Sequence, residues 1–593
     1  MASNTVEDMD ITEQEEFLGL QADPQDCESQ TVRISTYQLP NQVHGYVFQT
    51  NFELQLSSFI CTGSSSRNYW VRSREPRVED LPFVSQLIEE GKGKKIVELL
   101  VHFSTKYRTC RQDPLLFVLA LCCRSNDMET KMSGYNALKS ICRIPTQLFR
   151  FLDFCKQISI SQLSPSKGWG RAHRKAICDW YLSYGTEERK LKLLALHITK
   201  YCRRYGWKHK SVIRLAHLKV SEENPVLKYL VIVAVKGKKY ADSTKFMKKI
   251  MKQGTYQKSF LKEIVDLLSG IETAKSTKDI SQIKKLILKH RLVREQLPTF
   301  CLNDIGIWLA LARHMPLTAM VRNLGKMSKL ELFQVENPTG DNISFEEHLI
   351  IAKLKNKELL AKEAVHPFTY MLALNQYKRG ENHSGKLQWP VYPQICSALE
   401  EGLYLSFNNV KPTEKRFLLA LDISKSMEES VNVAGAPTLQ ALEVAAFMST
   451  LTIKTEKNCD AIVFTNEKVN VLPIGSSDTL NEVTENIRSL ARPVRDIPAD
   501  ASWPFKYALE NKRRYDVFVI YTDSNVSLSD PHPSQALQLY REATGNKEVR
   551  LVVCNLACSD VSIGDIEDPF TLTVCGFDSY VPQTISNFLN GEF

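Results

Sequence analysis

The chain has 593 residues, too many for one hydrophobic core, and its composition is that of a globular protein, with 43% hydrophobic and 24% charged residues. No apolar stretch approaches the roughly 18–20 residues that a membrane span needs, and the acidic start MASNTVEDMD lacks the apolar segment of a secretory signal. The 15 cysteines include no C-x-x-C pair, so the sequence favours an intracellular protein with reduced thiols over a zinc protein or a disulfide scaffold.

Charge is distributed unevenly along the chain, whose net charge is +9. Residues 1–30 carry nine acidic and no basic residues, and residues 404–593 carry a net charge of −8. Residues 31–403, which lie between them, carry a net charge of +26. A basic segment of this size between two acidic ones indicates a polyanionic partner.

The sequence of residues 1–403 predicts an acidic extension followed by helices. Residues 1–40 are acidic and poor in aromatic side chains, which predicts an unfolded N-terminal extension. Between residues 75 and 400, helical patterns such as DPLLFVLALCCR and SFLKEIVDLLSGIETA follow one another with little strand-like alternation. Helices of about twenty residues, paired with a period of about forty, are typical of HEAT-like arrays. We therefore predict a helical repeat domain over residues 41–403.

The basic residues of this domain concentrate in stretches that also hold aromatic side chains. WGRAHRKAICDWY (169–181) places three cations on one helical face, and HITKYCRRYGWKHK (197–210) and IRLAHLK (213–219) add more. Arginine and lysine neutralise phosphates, and aromatic rings stack on unpaired bases. The candidate RNA-binding residues are Arg171, Arg174, Lys175, Lys200, Arg203, Arg204, Lys208, His217, Arg322 and Lys326.

Each of these residues also has a plain structural explanation. The cations around residue 200 lie near the predicted C-terminus of a helix, where positive charge interacts favourably with the helix dipole. Trp180 and Tyr181 fit a hydrophobic core, and His217 fits a core histidine with a satisfied ring. For the segment as a whole, nucleic-acid binding explains the charge better. The absence of zinc-finger spacing, of a basic region with heptads and of a dimeric recognition-helix pattern favours RNA over duplex DNA.

After residue 404, apolar strand-like runs alternate with helical segments. The runs are FLLALDIS (417–424), CDAIVFTN (459–466), YDVFVIYTD (515–523), VRLVVCNLA (550–557) and FTLTVCGF (570–577). This order predicts a doubly wound, parallel α/β sheet over residues 404–593. Ligands of such sheets bind at the carboxyl ends of the strands.

The stretch LDISKSM (421–427) stands at such a strand end. Asp422, Ser424 and Ser426 offer hard oxygen ligands, and Asp523 follows a second strand at the same edge, a set that suits Mg²⁺ or Mn²⁺. The alternative is that Asp422 or Ser424 caps the following helix. Since the set has no histidine base and the chain no G-x-S-x-G, Walker or G-x-G-x-x-G motif, we expect a binding site and not an enzyme.

The motif D-x-S-x-S after an apolar strand resembles that of the von Willebrand factor A domain. That family usually adds a threonine from a second loop, followed by an aspartate. In the corresponding loop here, DIPADASWP, Ala499 stands in the threonine position and Asp500 follows. The resemblance implies a divalent cation, Mg²⁺ or Mn²⁺, in a site that has lost one hydroxyl and is formed by Asp422, Ser424, Ser426 and Asp523.

The two halves together resemble the TROVE family. The stretches that carry the resemblance run in order along the chain: CRIPTQLF (142–149), KGWGRAHRKAICDWY (167–181), ITKYCRRYGWKHKSVIRLAHLK (198–219), HRLVREQL (290–297), MPLTAMVRNLGKM (315–327), VHPF (365–368), KRFLLALDISKSM (415–427), IYTD (520–523) and CGFD (575–578). The acidic extension is longer than is usual in that family.

The resemblance implies a ring of HEAT-like repeats whose ends are joined by the A-like domain. In that family the basic centre of the ring takes the single-stranded 3′ ends of misfolded small RNAs, and the outer surface holds a Y RNA, a small noncoding partner. Lys200, Arg204 and His217 match the RNA-binding face by position. The resemblance further implies a role in RNA quality control and stress survival, without catalysis, in the cytoplasm and also the nucleus. We expect a monomer that does not contact membranes.

Two other function classes compete with this one. In the first, the chain is a protein-interaction scaffold whose A-like domain binds an acidic residue of a partner through its metal, and the basic array is incidental. In the second, it is a metal-dependent nuclease, which the absence of a general base and of clustered carboxylates makes improbable. Substitutions of Lys200 and Arg204 on the one hand and of Asp422 on the other separate RNA binding from protein binding.

Overall fold

The computed structural model describes residues 38–40, 46–48, 56, 59–61, 63, 68–70, 75–106, 112–161, 168–253, 258–333, 345–382, 385–429, 431–433, 435–475, 477–492, 494, 499–523, 531–556, 563–565 and 568–592. The chain divides into two compact units. A helical unit comprises residues 75–363 and 376–402, and an α/β unit comprises 364–375, 403–592 and the described residues between 38 and 70. Except for 38–40, the predicted extension 1–40 lies outside the described residues.

The helical unit is a succession of helices, as predicted. Two further helices, α18 and α19, each contain residues that are assigned to both units. The bounds are α1 Pro82–Glu89, α2 Gly93–Thr105, α3 Gln112–Arg124, α4 Met128–Ile141, α5 Pro145–Ser161, α6 Arg171–Leu182, α7 Glu188–Lys200, α8 His209–Ala216, α9 Pro225–Lys236, α10 Lys238–Ala241, α11 Thr244–Gln253, α12 Lys258–Ser276, α13 Ile280–His290, α14 Ile305–Ala312, α15 Leu317–Lys329, α16 Phe345–Leu354, α17 Lys357–Lys362, α18 Pro367–Lys378 and α19 Pro393–Ser406.

These helices pack in the manner of stacked pairs. Many pack on their successor, as α3 does on α4 and α12 on α13. Many also pack on the helix after that: α2 on α4, α3 on α5, α4 on α6, α6 on α8 and α7 on α9. Packing of this kind is typical of helical repeats, in which each pair buries its apolar face against its neighbours. None of the described helices is long and apolar enough to cross a membrane.

Asparagine and aspartate side chains define where several helices begin. Asn224 accepts a hydrogen bond from the backbone N–H of Leu227 (3.1 Å) at the start of α9, and Asp304 accepts one from Ile307 (3.0 Å) at the start of α14. Such caps satisfy one of the free N–H groups of the first turn and stabilise a helix by about 1 kcal/mol each. They separate helices that hydrophobic periodicity alone would run together.

The α/β unit contains a seven-stranded sheet in the order β3-β11-β10-β9-β4-β7-β8. Its strands pair in parallel, except that β8 is antiparallel to β7. Two short antiparallel pairs, β1 with β2 and β5 with β6, lie outside it. The strands are β1 Gln38–Pro40, β2 Tyr46–Phe48, β3 Asn68–Trp70, β4 Arg416–Asp422, β5 Val431–Val433, β6 Ala436–Gln440, β7 Asn458–Phe464, β8 Val469–Val471, β9 Val517–Thr522, β10 Arg550–Asn555 and β11 Thr571–Cys575.

Six helices of this unit are described after residue 420. Their bounds are α20 Lys425–Glu429, α21 Ala441–Thr455, α22 Leu480–Ala491, α23 Trp503–Glu510, α24 Pro533–Thr544 and α25 Val581–Leu589. The five predicted apolar strands are all present, and the helices predicted after residue 404 are confirmed. The central strands are buried along almost their whole length, as parallel strands covered on both faces are.

The N-terminal segment differs from the predicted organisation. Strand β3 lies in the range 41–403 that the sequence assigned to the helical domain, but it pairs in parallel with β11 at the edge of the α/β sheet. Strand β1 lies in the predicted unfolded extension, but it pairs with β2. An isolated three-residue strand has little signal of its own, because its pairing partner lies far along the chain.

The carboxyl ends of two neighbouring strands position the predicted metal site. Strands β4 and β9 are adjacent, with Leu421 opposite Tyr521, so Asp422 and Thr522 end their strands side by side. Asp523 follows directly. The crevice outside these strand ends is where open α/β sheets bind ligands.

Candidate nucleic-acid interface and strand-edge site

Helix α6 presents three of the predicted cations to solvent. Arg171, Arg174 and Lys175 are exposed on one face. The opposite face buries Trp180 and Tyr181, and the indole N–H of Trp180 donates to the carbonyl of Cys142. The core role of these two aromatic residues is thus confirmed. Within the described part of the chain, the face of α6 that carries the cations is therefore exposed.

A tight turn projects the next group of cations. The backbones of Arg204 and Trp207 exchange two hydrogen bonds (3.1 and 2.8 Å), and between them Tyr205 and Gly206 have φ values of 49° and 74°. Two successive positive φ angles define a type I′ turn, which favours glycine at the second position. The turn and its flanks hold the exposed cations Arg203, Arg204 and Lys208.

Arg150 of α5 anchors this turn. Its buried guanidinium lies 4.7 Å from the ring centroid of Tyr205 and forms ion pairs with Asp113 (2.8 Å), Asp153 (3.1 Å) and Glu75 (2.8 Å). A buried cation persists only when carboxylates and hydrogen bonds compensate its charge. The ion pairs therefore hold the guanidinium of Arg150 in place, and the ring of Tyr205 packs on it.

The histidines of these stretches divide into buried and exposed ones. His217 is exposed at the end of α8, with a left-handed φ of 56°, so the alternative of a core histidine is wrong for this residue. His209 is buried instead: its Nδ1 lies 2.8 Å from the hydroxyl of Tyr181, and burial lowers its pKa to about 4. His197 has the same arrangement with Tyr184 (2.8 Å), and burial lowers its pKa to about 4 as well.

Contacts between neighbouring elements link α6, α7 and α8. Helices α6 and α8 pack together, and the rings of Trp169 and Trp207, which precede them, lie 5.8 Å apart between centroids. His209 at the start of α8 interacts with His197 in the last turn of α7. Lys200, half-buried at the end of α7, lies 5.4 Å from the ring of Tyr201.

Two hydrogen bonds extend this series to α15. The side-chain amide of Gln296 donates to the hydroxyl of Thr199 near the end of α7 (2.8 Å). Arg294, in the same short 3-10 turn as Gln296, donates to the side-chain oxygen of Asn323 on α15 (2.8 Å).

Helix α15 carries the last two predicted cations. Arg322 is exposed, while Lys326 is half-buried and donates to the side-chain oxygen of Asn303 (2.9 Å). Burial, and then the charge of Lys329, lower the pKa of Lys326. The predicted RNA-binding residues therefore lie on, or directly beside, elements that contact one another in series.

The strand-edge residues of the α/β unit form a compact oxygen cluster. One carboxylate oxygen of Asp422 accepts from the backbone N–H of Ser424 (2.8 Å) and the other from the hydroxyl of Thr522 (2.9 Å). The hydroxyls of Ser424 and Ser426 lie 3.1 Å apart. The bond to Ser424 N–H resembles helix capping, so the capping alternative describes one of the two Asp422 oxygens.

Electrostatics at this cluster suit a cation. Burial, and to a lesser degree the charge of Asp523, raise the pKa of Asp422 to about 6, although hydrogen bonds from Ser424 and Thr522 oppose the shift. Two carboxyl groups with hydroxyls around them are the hard-oxygen donor set that Mg²⁺ or Mn²⁺ prefers. The residues present therefore fit a divalent cation held partly by water. Among the described residues, this edge included, no group of three or more His, Cys, Asp or Glu side chains could hold a metal ion, so a cation here would rely on two carboxylates, hydroxyls and water.

The second loop does not restore the missing hydroxyl. Ala499 is fully buried and packs in the hydrophobic core of the sheet. The carboxylate of Asp500 accepts from the backbone N–H (2.8 Å) and the hydroxyl (2.6 Å) of Ser502, ahead of α23, and lies 3.4 Å from Lys506 Nζ. The described part of the loop therefore serves the start of α23, and the candidate oxygen ligands are those around the ends of β4 and β9.

Comparison with known proteins identifies the family. The family model described as the TROVE domain matches residues 40–377, more than half of the chain. The chain belongs to the TROVE family. A second model, described as the Ro60 vWA domain, matches residues 416–589, which include the whole strand-edge cluster.

Two curated relatives and one solved structure resemble this TROVE protein over nearly its full length. RNA-binding protein RO60 of Caenorhabditis elegans is 31% identical over 95% of this chain and 92% of that protein. RNA-binding protein RO60 of Deinococcus radiodurans is 27% identical over 95% of this chain and 97% of that protein. The crystal structure of the Deinococcus radiodurans RO (RSR) protein superposes with a TM-score of 0.77 at 26% identity, covering 92% of this chain and 100% of that one. The predicted helical array followed by a von Willebrand A-like domain is confirmed.

Two residues of this TROVE protein contribute to the sites without having been singled out from sequence. Arg150 carries no local signal, because its carboxylate partners and Tyr205 come from other elements. Thr522 could have been found, because it precedes Asp523 at the end of a predicted strand next to the one that ends in Asp422.

Proposed function

We propose that this chain is the RNA-binding component of a ribonucleoprotein. It binds Y RNA and the single-stranded 3′ ends of misfolded small noncoding RNAs, and it acts in RNA quality control and stress survival in the cytoplasm and the nucleus. The observation that carries this proposal is the linked series of cations from α6 to α15 within a segment of net charge +26. That the two curated relatives are named RNA-binding proteins supports it.

The geometry of these cations suits a flexible polyanion. Most are exposed arginines and lysines that form no ion pair with a carboxylate in the described part of the chain, and Gly170 precedes α6 without a side-chain cap or an acidic residue in the first turn. The free N–H groups of such a helix start favour phosphate. Affinity that rests on phosphate contacts is largely independent of sequence and falls steeply with salt.

The first experiment compares one duplex RNA with and without a short 3′ single-stranded tail at several salt concentrations. Tight binding that requires the tail and weakens with salt supports the proposal. Equal and weak binding to both RNAs would reduce the basic segment to a nonspecific surface.

A pair of charge variants locates the contacts. Lys200→Ala with Arg204→Ala removes two cations of the linked series, and we expect a salt dependence of log Kd that is shallower by about 1 to 2. The matched control is Lys262→Ala with Lys285→Ala, which removes two exposed lysines of α12 and α13. Equal losses in both pairs would mean that only total charge matters.

The strand-edge cluster supports a second candidate function. We infer that Asp422, Ser424, Ser426, Thr522 and Asp523 hold a divalent cation, through which the A-like domain binds an acidic group of a protein partner. Under this alternative the chain is a scaffold. The scaffold alternative is supported if Asp422→Ala abolishes association with a protein partner while the Lys200 and Arg204 variants bind RNA as the wild type does.

We propose that neither site is catalytic. The cations of the series stabilise phosphate charge, and the two histidines packed behind them, His197 and His209, are buried against tyrosine hydroxyls and so do not reach a phosphodiester. RNA incubated with the protein and Mg²⁺ should remain intact. Cleavage that Asp422→Ala abolishes would favour the nuclease alternative.

A further inference from the structure

A cleft of about 190 Å³ opens in the helical unit beside the turn at 204–207. Its lining includes Arg124 of α3, Lys156 of α5, and Trp169, His173 and Trp207 around the starts of α6 and α8. A cavity of roughly 150 Å³ accommodates a benzene ring. The cleft therefore has room for one flat aromatic ring.

Two indoles provide its apolar walls. The rings of Trp169 and Trp207 are half-buried, with centroids 5.8 Å apart and planes inclined by 56°. Trp169 also meets the ring of His173 edge-on, at 4.9 Å. Partly exposed aromatic faces are the surfaces on which unpaired bases stack.

Two buried polar atoms of the lining make no hydrogen bond within the described part of the chain. His173 is only 2% exposed, and its Nδ1 makes no hydrogen bond. The Nε of Arg124 makes none either, although its Nη2 donates to the carbonyl of Gly168 (2.8 Å) and so orients the guanidinium. Buried polar groups in native proteins are almost always paired, so both residues keep hydrogen-bonding capacity beside the cleft that they line.

The charge of the lining matches a nucleotide. Burial, followed by the charge of Arg124, lowers the pKa of His173 to about 3, so the imidazole is neutral and either donates or accepts at its free nitrogen. Arg124 supplies donors, and Lys156 supplies an exposed cation. Aromatic faces, polar groups for a ring edge and a cation for a phosphate thus surround one small space.

We propose that this cleft binds a single unpaired base of the RNA, which stacks on Trp169 and Trp207, presents its polar edge to His173 and Arg124, and places its phosphate near Lys156. The inference rests on the proposed RNA binding and adds to it a subsite for one base. Trp207 belongs to the turn that carries Arg203 and Arg204, so an RNA backbone held by the turn passes the mouth of the cleft.

The test uses the full-length chain and a single-stranded RNA oligonucleotide in which one base at a time is removed to leave an abasic nucleotide. The wild type should show one position at which base removal weakens binding by about 5- to 150-fold, the range for stacking of one base on an aromatic side chain. Trp207→Ala should weaken binding of the intact oligonucleotide similarly and make that position insensitive. Trp207→Phe, which keeps a ring, should fall between.

The matched control is Tyr240→Ala, which removes an exposed aromatic ring beside a cation, Lys236, elsewhere in the helical unit. Its affinity should stay within about twofold of the wild type, because its ring adjoins no such cleft in the described part of the chain. Should Trp207→Ala unfold, the wild-type scan together with Trp207→Phe decides the question.

The outcomes separate this inference from the function on which it rests. If the intact oligonucleotide binds in a salt-dependent manner and weakens in the Lys200 and Arg204 variant, but no abasic position matters, the base subsite is refuted and RNA binding stands. A sensitive position that persists unchanged in Trp207→Ala also refutes the subsite. If the intact oligonucleotide does not bind even at low salt, RNA binding and the subsite fail together.

Discussion

Three histidines in the basic stretches of the helical unit are neutral at physiological pH. Burial lowers the pKa of His197 and of His209 to about 4 and that of His173 to about 3, because desolvation disfavours the imidazolium form. Their rings pair with tyrosine hydroxyls or line the cleft. These three rings therefore add no positive charge to the surface on which the arginines and lysines lie.

His209 should make the folded state sensitive to acid. Its pKa of about 4 lies below the value near 6.5 of an unfolded chain, so between these pH values the unfolded state binds a proton that the folded state does not. The contribution of His209 to the free energy of unfolding is fully present above about pH 6.5. It falls as the pH drops towards 4, and about 2 kcal/mol is lost at pH 5. His209→Gln keeps an acceptor for the hydroxyl of Tyr181 but has no group that titrates in this range. In guanidinium unfolding, the difference in unfolding free energy between pH 7 and pH 5 should be smaller by about 2 kcal/mol in this variant than in the wild type. An unchanged difference between the two pH values would mean that His209 is protonated in the folded state.

Ser426 tests the strand-edge cation without disturbing the fold. Its hydroxyl contacts that of Ser424, whereas the hydrogen bonds of Asp422 run to Ser424 and Thr522 and survive in Ser426→Ala. The wild type should bind Mn²⁺ in an electron paramagnetic resonance titration, and Ser426→Ala should bind it about tenfold more weakly. Ser534→Ala, a hydroxyl at the start of α24, is the control. Equal titrations of all three proteins would exclude Ser426 as a ligand.

At the scale of elements, the positions of the cations are decided by short turns as much as by helices. The type I′ turn at 204–207 connects the end of α7 to α8 and projects Arg203 and Arg204, and Arg150 of α5 fixes it through the ring of Tyr205. Helix α6 instead presents its cations by ordinary amphipathicity. The placement of Arg203 and Arg204 therefore depends on the backbone conformation at one glycine, Gly206.

Gly206→Ala should lower RNA affinity through the backbone alone. A Cβ at this position meets no atom within 4 Å, so the cost is that of holding a φ of 74° with a side chain, about 1 kcal/mol. Gly545→Ala is the matched control, since Gly545 has a φ of 67° and equally open surroundings after α24. Both variants should lose similar stability in thermal unfolding, and only Gly206→Ala should bind RNA more weakly. If both bind RNA as tightly as the wild type, the conformation of the turn is irrelevant to binding.

At the scale of the whole molecule, charge is segregated along the chain. The segment 31–403 carries +26, and the segments on either side carry −9 over residues 1–30 and −8 over 404–593. Segregated charge raises the local concentration of a polyanion at the basic segment and speeds its association. From this charge we expect the acidic N-terminal segment to compete electrostatically for the same cations.

Deletion of residues 1–30 tests this competition. Removal of nine negative charges should tighten RNA binding severalfold at low salt, and by less at high salt, because the screening length shortens from about 10 Å at 0.1 M to about 3 Å at 1 M. The measurement is Kd for the tailed duplex at both salt concentrations. An affinity that the deletion leaves unchanged removes the hypothesis of intramolecular competition.

Some features were predictable from sequence because they depend on local pattern. The strand predicted at 417–424 is Arg416–Asp422 and the one at 515–523 is Val517–Thr522, since strands buried on both faces are continuous apolar runs. Helix α23 and strands β3 and β8 were not predicted. They are only three to eight residues long, so hydrophobic periodicity gives little signal for them.

The sequence by itself determined the family, the order of helices and strands, and which stretches carry the cations, because periodicity, motif and charge are properties of neighbouring residues. Only the tertiary structure showed that Arg150 packs on Tyr205, that Thr522 bonds to Asp422, and that Trp169 and Trp207 line one cleft. Each of these contacts joins residues far apart along the chain. Such contacts follow from how whole helices and strands pack, and no local pattern specifies them.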